Sequence, residues 1–179
     1  MKNIWKFVIA VLIVLVVVLL ISRTTNNQNY FNEVQLDSSN YIGNNVNKPY
    51  IDTILNVGLS ILNLKNVTIF VSPLSENTKL MFASEGGELK AHIREYNGNY
   101  YIFIDDVDRL ESIEILSHEL VHLKQYHDGR LMLKDKTPIW LGEEFPLTLV
   151  SYDNRPWEIE AYMVDDVLES KIKNVLYNK

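Results

Sequence analysis

Apolar positions along the chain follow three different patterns. Residues 4–21 form an almost unbroken run of Ile, Val, Leu, Ala, Phe and Trp, interrupted only by Lys6. Its uninterrupted part is short for a hydrocarbon core of about 30 Å. Trp5, Lys6 and Arg23 suit the two interfaces, however, and local thinning covers a small mismatch. Residues 24–46 scatter a few aromatics among Asn, Gln and Ser, the composition of a tether rather than of a packed element. From residue 47 to 179 the apolar positions become periodic, and a chain of 179 residues suggests one domain.

Within that last region, Ile51, Ile54, Leu55, Val57, Leu59, Ile61 and Leu62 recur at helical spacing, with Pro49 in the first turn, and predict a helix over 47–64. Four short β-rich segments follow, 67–71, 79–83, 89–95 and 100–104, separated by Pro, Gly or Asn. They predict a small, mostly antiparallel sheet, with Asn97-Gly98 as a hairpin turn between the last two. A second helix is predicted from a capping-box-like start, Asp108 with Glu111 three residues later, to a stop at Gly129. Ile113, Leu116, Leu120 and Leu123 form its apolar side. Residues 130–154 carry Pro138, Trp140, Gly142 and Pro146 and predict an irregular connection with a short hairpin. Pro156 then opens a final helix to about residue 176. The fold class is α+β, preceded by an N-terminal transmembrane helix: residues 1–23 the anchor, 24–46 the tether, 47–179 the folded domain.

Charge places that domain. Lys2, Lys6 and the amino terminus outweigh Arg23, so the positive-inside bias leaves the N-terminus in the cytoplasm and the rest of the chain outside it. A cleaved secretory signal is the competing reading, but Leu20-Ile21-Ser22-Arg23 offers no Ala-x-Ala-like site, and the domain is exported either way. Three of the 17 basic side chains lie in or beside the apolar run, leaving 14 against 23 carboxylates, a net of −9. Such a surface repels nucleic acid and anionic headgroups, so a nucleic-acid partner is not expected. With no cysteine, a disulfide framework and a thiolate metal site are both excluded.

The chemistry lies in the second helix. His118-Glu119-Leu120-Val121-His122 sets two imidazoles four residues apart, one above the other on one helical face, where both can reach one metal ion. Glu119, rotated roughly 100° from His118, can face a water on that ion. A catalytic zinc site takes three protein ligands and leaves a fourth position for water, so a third ligand is required. His127 lies five residues after His122 with no glycine turn between, unlike the metzincin arrangement. His92 falls in an alternating strand, and Pro146 breaks any helix around Glu143. Glu158 and Glu160 lie about 200° apart on the final helix, so only one can face the ion. Glu160 shares a side with Met163 and Val167, Glu158 with Tyr162 and Asp165, and the faces alone leave the choice open. Both carboxylates are also what a solvated helix start favours.

Ser117-His118-Glu119-Leu120-Val121-His122-Leu123 resembles the active-site helix of zincin metallopeptidases, and Glu158-Ile159-Glu160-Ala161 resembles the Glu-x-x-Ala of the gluzincins among them. The similarity covers those two segments; the order helix, sheet, metal helix is also that of zincins. The resemblance implies a zincin-like domain in which His118, His122 and Glu158 hold Zn²⁺ and Glu119 is the general base for hydrolysis of a peptide or protein substrate. It also implies an edge strand that binds substrate backbone by strand addition, for which the hairpin around Tyr100 is the candidate. One departure is plain: where many gluzincins have an acidic residue four after the ligand glutamate, this chain has Tyr162, and Asp165 one turn on is the nearest substitute. Tyr152, Tyr162 and His127 are candidates for stabilising the oxyanion. The alternative function is a non-catalytic, membrane-tethered binding module that keeps the fold, against which the intact Glu119 argues.

Overall fold

The computed structural model describes residues 39–83, 88–135, 137–147 and 150–178. In order these form β1 (Tyr41–Asn44), α1 (Pro49–Ile61), β2 (Thr68–Pro73), α2 (Glu76–Ala83), β3 (Ala91–Tyr96), β4 (Asn99–Ile104), α3 (Arg109–His127), β5 (Leu131–Lys134), β6 (Thr137–Trp140), β7 (Glu143–Glu144), a 3₁₀ turn (Tyr152–Asn154) and α4 (Pro156–Tyr177). No helix among the described residues is long and apolar enough to cross a membrane, and the apolar run at 4–21 lies outside them.

The fold is α+β, with two small sheets. The larger has the order β1-β2-β4-β3. Alternation along β2 and β4 buries Ile69 and Val71, and Tyr100, Ile102 and Ile104, on one face, where they meet the apolar sides of α1, α3 and α4. Ile113, Leu116, Leu120 and Leu123 of α3 are all fully buried there. Each such side chain contributes on the order of 1.5–3 kcal/mol of transfer free energy, and this burial rather than helix propensity fixes the position of α3. The smaller sheet, β5-β6-β7, is antiparallel and follows α3 directly.

The structure corrects three expectations. The larger sheet is mixed rather than mostly antiparallel: β1 pairs in parallel with β2, and β2 with β4, while only β3 and β4 run antiparallel. Residues 79–83 belong to helix α2, not to a strand. Its start is set by Ser75, whose Oγ accepts a hydrogen bond from the Thr78 backbone N–H at 3.2 Å. The stretch expected to be tether up to residue 46 contributes β1, because Asn40 ties it to the loop before β2, donating from Nδ2 to Leu64 O at 3.1 Å and accepting at Oδ1 from Val67 N at 2.9 Å. The hairpin around Tyr100 does lie at the edge of the sheet: Tyr100 itself is on the inner strand β4 with its side chain in the core, and the outer strand is its partner, β3.

Close approach of α1 to α3 depends on Gly58. A Cβ at this position would sit 2.3 Å from Leu120 Cδ1 and 3.3 Å from Ile172 Cδ1 of α4. Gly58→Ala therefore sets about 1 kcal/mol of improved helix propensity against an overpacking cost of about 1–3 kcal/mol in a closed core. We expect the second to win, lowering the unfolding free energy by a net 1 kcal/mol or so and the urea midpoint with it. An unchanged or higher midpoint would mean that Leu120 yields without strain.

Candidate metal centre

Helix α3 is held at both ends. Asp108 accepts a hydrogen bond from Glu111 N at 2.9 Å at its start. At its end Gly129 N donates to Tyr126 O and Arg130 N to Gln125 O, both at 2.9 Å, a closed C-terminal turn. Helix α4 begins at Pro156 in the first helical position. The adjacent Trp157 is buried with Leu131 and Trp140, with Phe145 packed against it edge-on at 5.8 Å. This small cluster fixes the first turn of α4 against the end of α3, and Glu158 is thereby buried facing the two histidines.

Three candidate ligand atoms converge. His118 Nε2 lies 3.1 Å from His122 Nε2, and Glu158 Oε2 lies 3.3 Å from the first and 3.2 Å from the second. Zinc–nitrogen and zinc–oxygen bonds of about 2.0–2.1 Å imply ligand–ligand edges of about 3.3 Å for a tetrahedron. The donor set therefore fits a tetrahedral zinc site in chemistry and spacing, and it is the group found among the described residues that could hold a metal ion.

Each imidazole is held from behind. His118 Nδ1 donates to Asp165 Oδ2 at 2.9 Å, and His122 Nδ1 donates to Gln125 Oε1 at 2.9 Å, which leaves both Nε2 atoms turned to the shared centre. Gln125 is itself fixed, donating from Nε2 to Trp157 O at 2.9 Å. Tyr152 donates its hydroxyl to Glu158 Oε2 at 2.7 Å, and the Tyr162 ring lies 4.8 Å from that of His118.

Burial alone would lower the pKa of His118, but its bonds to Glu158 and Asp165 prevail and raise it to about 9. His122 is raised in the same way, burial opposed mainly by Glu158. Glu158 is held well below the usual carboxylate range: its burial acts upward, and the two histidines outweigh it. Burial pushes Tyr152 up, reinforced by Glu158. Glu119 is raised by burial, against the pull of His122 and His118. It takes a backbone hydrogen bond from Ile93 on β3, while its Oε2 has no partner in the protein.

Beside this group an open cleft of about 340 Å³ runs between β3 and α3, its lining including His118, Glu119, Tyr152, Tyr162 and Asp165. Other candidates lie elsewhere. Glu160 forms a two-pronged bond with Arg130 Nη1 at 2.6 and 2.5 Å. His127 is half-exposed beside Asp128, and Glu143 is exposed on β7. His92 stacks on Phe103 at 4.8 Å, its pKa lowered by burial to about 4. Gln125 escaped sequence reasoning, although its position three after His122 puts it on the same helical face. No family model, curated protein or solved structure matches the chain.

The metal-free protein should carry a pH signature. A histidine whose pKa is raised from 6.5 to about 9 by folding adds stability that is fully present below pH 6.5 and lost as pH rises through 9. In chelator-treated protein we expect stability to fall on the order of 1–3 kcal/mol across this window, with most of the slope removed by His118→Gln. Thermal melts between pH 6 and 9.5 read it directly. A flat profile would contradict the shared carboxylate.

Proposed function

We propose that this protein is a gluzincin-type zinc metallopeptidase with a zincin-like domain, tethered to a membrane through residues 4–21, which cleaves peptide or protein substrates outside the cytoplasm. The observation that carries this reading is the convergence of His118, His122 and Glu158 beside a buried carboxylate, Glu119, which is among the residues lining the cleft and whose Oε2 has no protein partner. The antiparallel edge strand β3 alongside α3 supports it further, as a site for substrate backbone.

His118, His122 and Glu158 would hold the ion, which when bound supplies Lewis acidity to the scissile carbonyl and to the attacking water. Glu119 takes the proton of that water and returns it to the leaving amine; its burial raises its pKa and makes it the better acceptor. Asp165 and Gln125 keep the imidazoles in the tautomer that exposes Nε2. Tyr152, whose hydroxyl is 2.7 Å from a proposed ligand oxygen and lines the cleft, is the candidate donor to the oxyanion. His127, outside the cleft lining, is not suited to that role.

With the full chain in detergent and zinc supplied, Glu119→Gln should retain the metal and lose peptide hydrolysis by roughly 10²–10⁴-fold. Undiminished turnover would remove the proposed base. Tyr152→Phe should lower kcat by about 10²-fold with zinc content unchanged. For the third ligand, Glu158→Ala should cost at least about tenfold in zinc affinity and Glu160→Ala little, since the latter carboxylate is engaged by Arg130. The reverse ranking would shift the ligand by two residues.

A further inference from the structure

The cleft has a chemical gradient along its depth. Ala91 is buried and Leu89 and Ile115 are half-buried within it, whereas Glu88 and Glu114 are exposed at its surface. Lys90 is the lysine among the lining residues, and it is already paired with Glu111 of α3. Among the described residues neither of these carboxylates is in an ion pair, Lys90 acting on both only through space, and they stand at the mouth above apolar walls. Glu119, 5% exposed and with Oε2 unpartnered, marks the inner end of the same cleft as the place where a substrate is engaged.

The strand register gives a direction. Asp105 N donates to Lys90 O at 2.8 Å, and Ala91 is opposite Ile104, so alternation turns the backbone groups of Leu89, Ala91 and Ile93 to the outer edge of the sheet. At Ile93 that edge is taken up by Glu119. A peptide added to the edge therefore pairs beside Leu89 and Ala91. Antiparallel pairing, the more stable kind, has it enter at the Ile93 end and leave past Glu88. The residue following the scissile bond then lies over Leu89, Ala91 and Ile115, with its tip at Glu88 and Glu114.

Resting on the peptidase reading above, we propose that this cleft selects substrates with Lys or Arg immediately C-terminal to the scissile bond. A long aliphatic stem covers the apolar walls while the cationic head reaches the carboxylates in water. The net charge of −9 beyond residue 23 attracts such substrates from a distance. A free α-amine offers the same charge without the stem, and it would leave the apolar walls uncovered.

The test uses the zinc-loaded full chain and N-acetylated, C-amidated fluorogenic peptides that differ at one position on either side of the cleaved bond: Lys, Arg, norleucine, Gln or Glu. We expect kcat/KM for Lys or Arg on the C-terminal side to exceed that for norleucine by about fivefold or more. The ratio should shrink as salt is raised, fall towards one in the double variant Glu88→Gln/Glu114→Gln, and turn in favour of Glu in Glu114→Lys. Zinc content, measured in parallel, should not change. Equal rates for Lys and norleucine, a preference that survives the double variant, a basic preference on the N-terminal side, or cleavage that requires a free α-amine would each overturn the proposal. If zinc-loaded protein cleaves none of the peptides, the peptidase reading itself fails and takes this inference with it.

Discussion

The structure depends on keeping four ionisable side chains in a space that water barely reaches. His118, His122 and Glu158 have side chains 15%, 8% and 7% exposed, and Glu119 is 5% exposed. Burying charge costs several kcal/mol per group unless partners are close and well aimed. Here every group but one oxygen is answered: two imidazoles share one carboxylate, and Asp165, Gln125 and Tyr152 satisfy the atoms that face away. Moving either helix by one residue would break this arrangement and leave unpaired charge in the protein. The contact between α3 and α4 is therefore as much an electrostatic constraint as an apolar one.

Neighbouring elements act to hold that register. Gly58 lets α1 approach α3 closely, pressing Leu120 and, through it, the turn that carries both histidines. Arg130, leaving the closed end of α3, grips Glu160 on α4. Gln125 joins His122 to the Trp157 carbonyl, so one side chain sets an imidazole and the start of α4 together. The two glutamates of α4 illustrate the logic. Being about 200° apart, they cannot share a role: one completes the buried group, and the other is a partly exposed ion pair that fastens the helix from its far side.

The helices were legible in the sequence because their signals are local and redundant. Asp108 with Glu111 starts α3 and Pro156 starts α4, and the apolar positions of α1 and α3 recur at the helical period. What escaped was non-local. Residues 79–83 are too few to separate helix from strand by period, and Ser75, which caps α2, lies outside the apolar segment that attracted the strand reading. That β1 and β4 both flank β2 in parallel depends on which edges the core leaves free, and no short-range pattern records it. Which strand of the hairpin around Tyr100 forms the edge was open for the same reason: β3 and β4 are equally β-like, and the arrival of β2 beside β4 leaves β3 outside. In the site, the histidines and Glu119 announced themselves by spacing. Glu158 was separable from Glu160 only by resemblance, until the pairing of Glu160 with Arg130 supplied a physical reason.

Glu119 connects the two halves of the architecture. It leaves α3 on a different side from the histidines, and its carboxylate meets the Ile93 backbone on the edge of the sheet, so one oxygen is committed to the strand. The other has no partner although it is buried, a state that costs on the order of 1–3 kcal/mol for a polar group and is rarely left in a core without reason. Burial raises its pKa while the cationic imidazoles lower it. Metal binding requires those imidazoles to be neutral, which removes their charges and puts the ion's own in their place. The proton affinity of Glu119 is thus set by whether the neighbouring group is loaded, and its position by the strand along which a peptide would lie. A single side chain, fixed by its place in one helix, thus touches both the histidine–glutamate group and the open edge of the sheet.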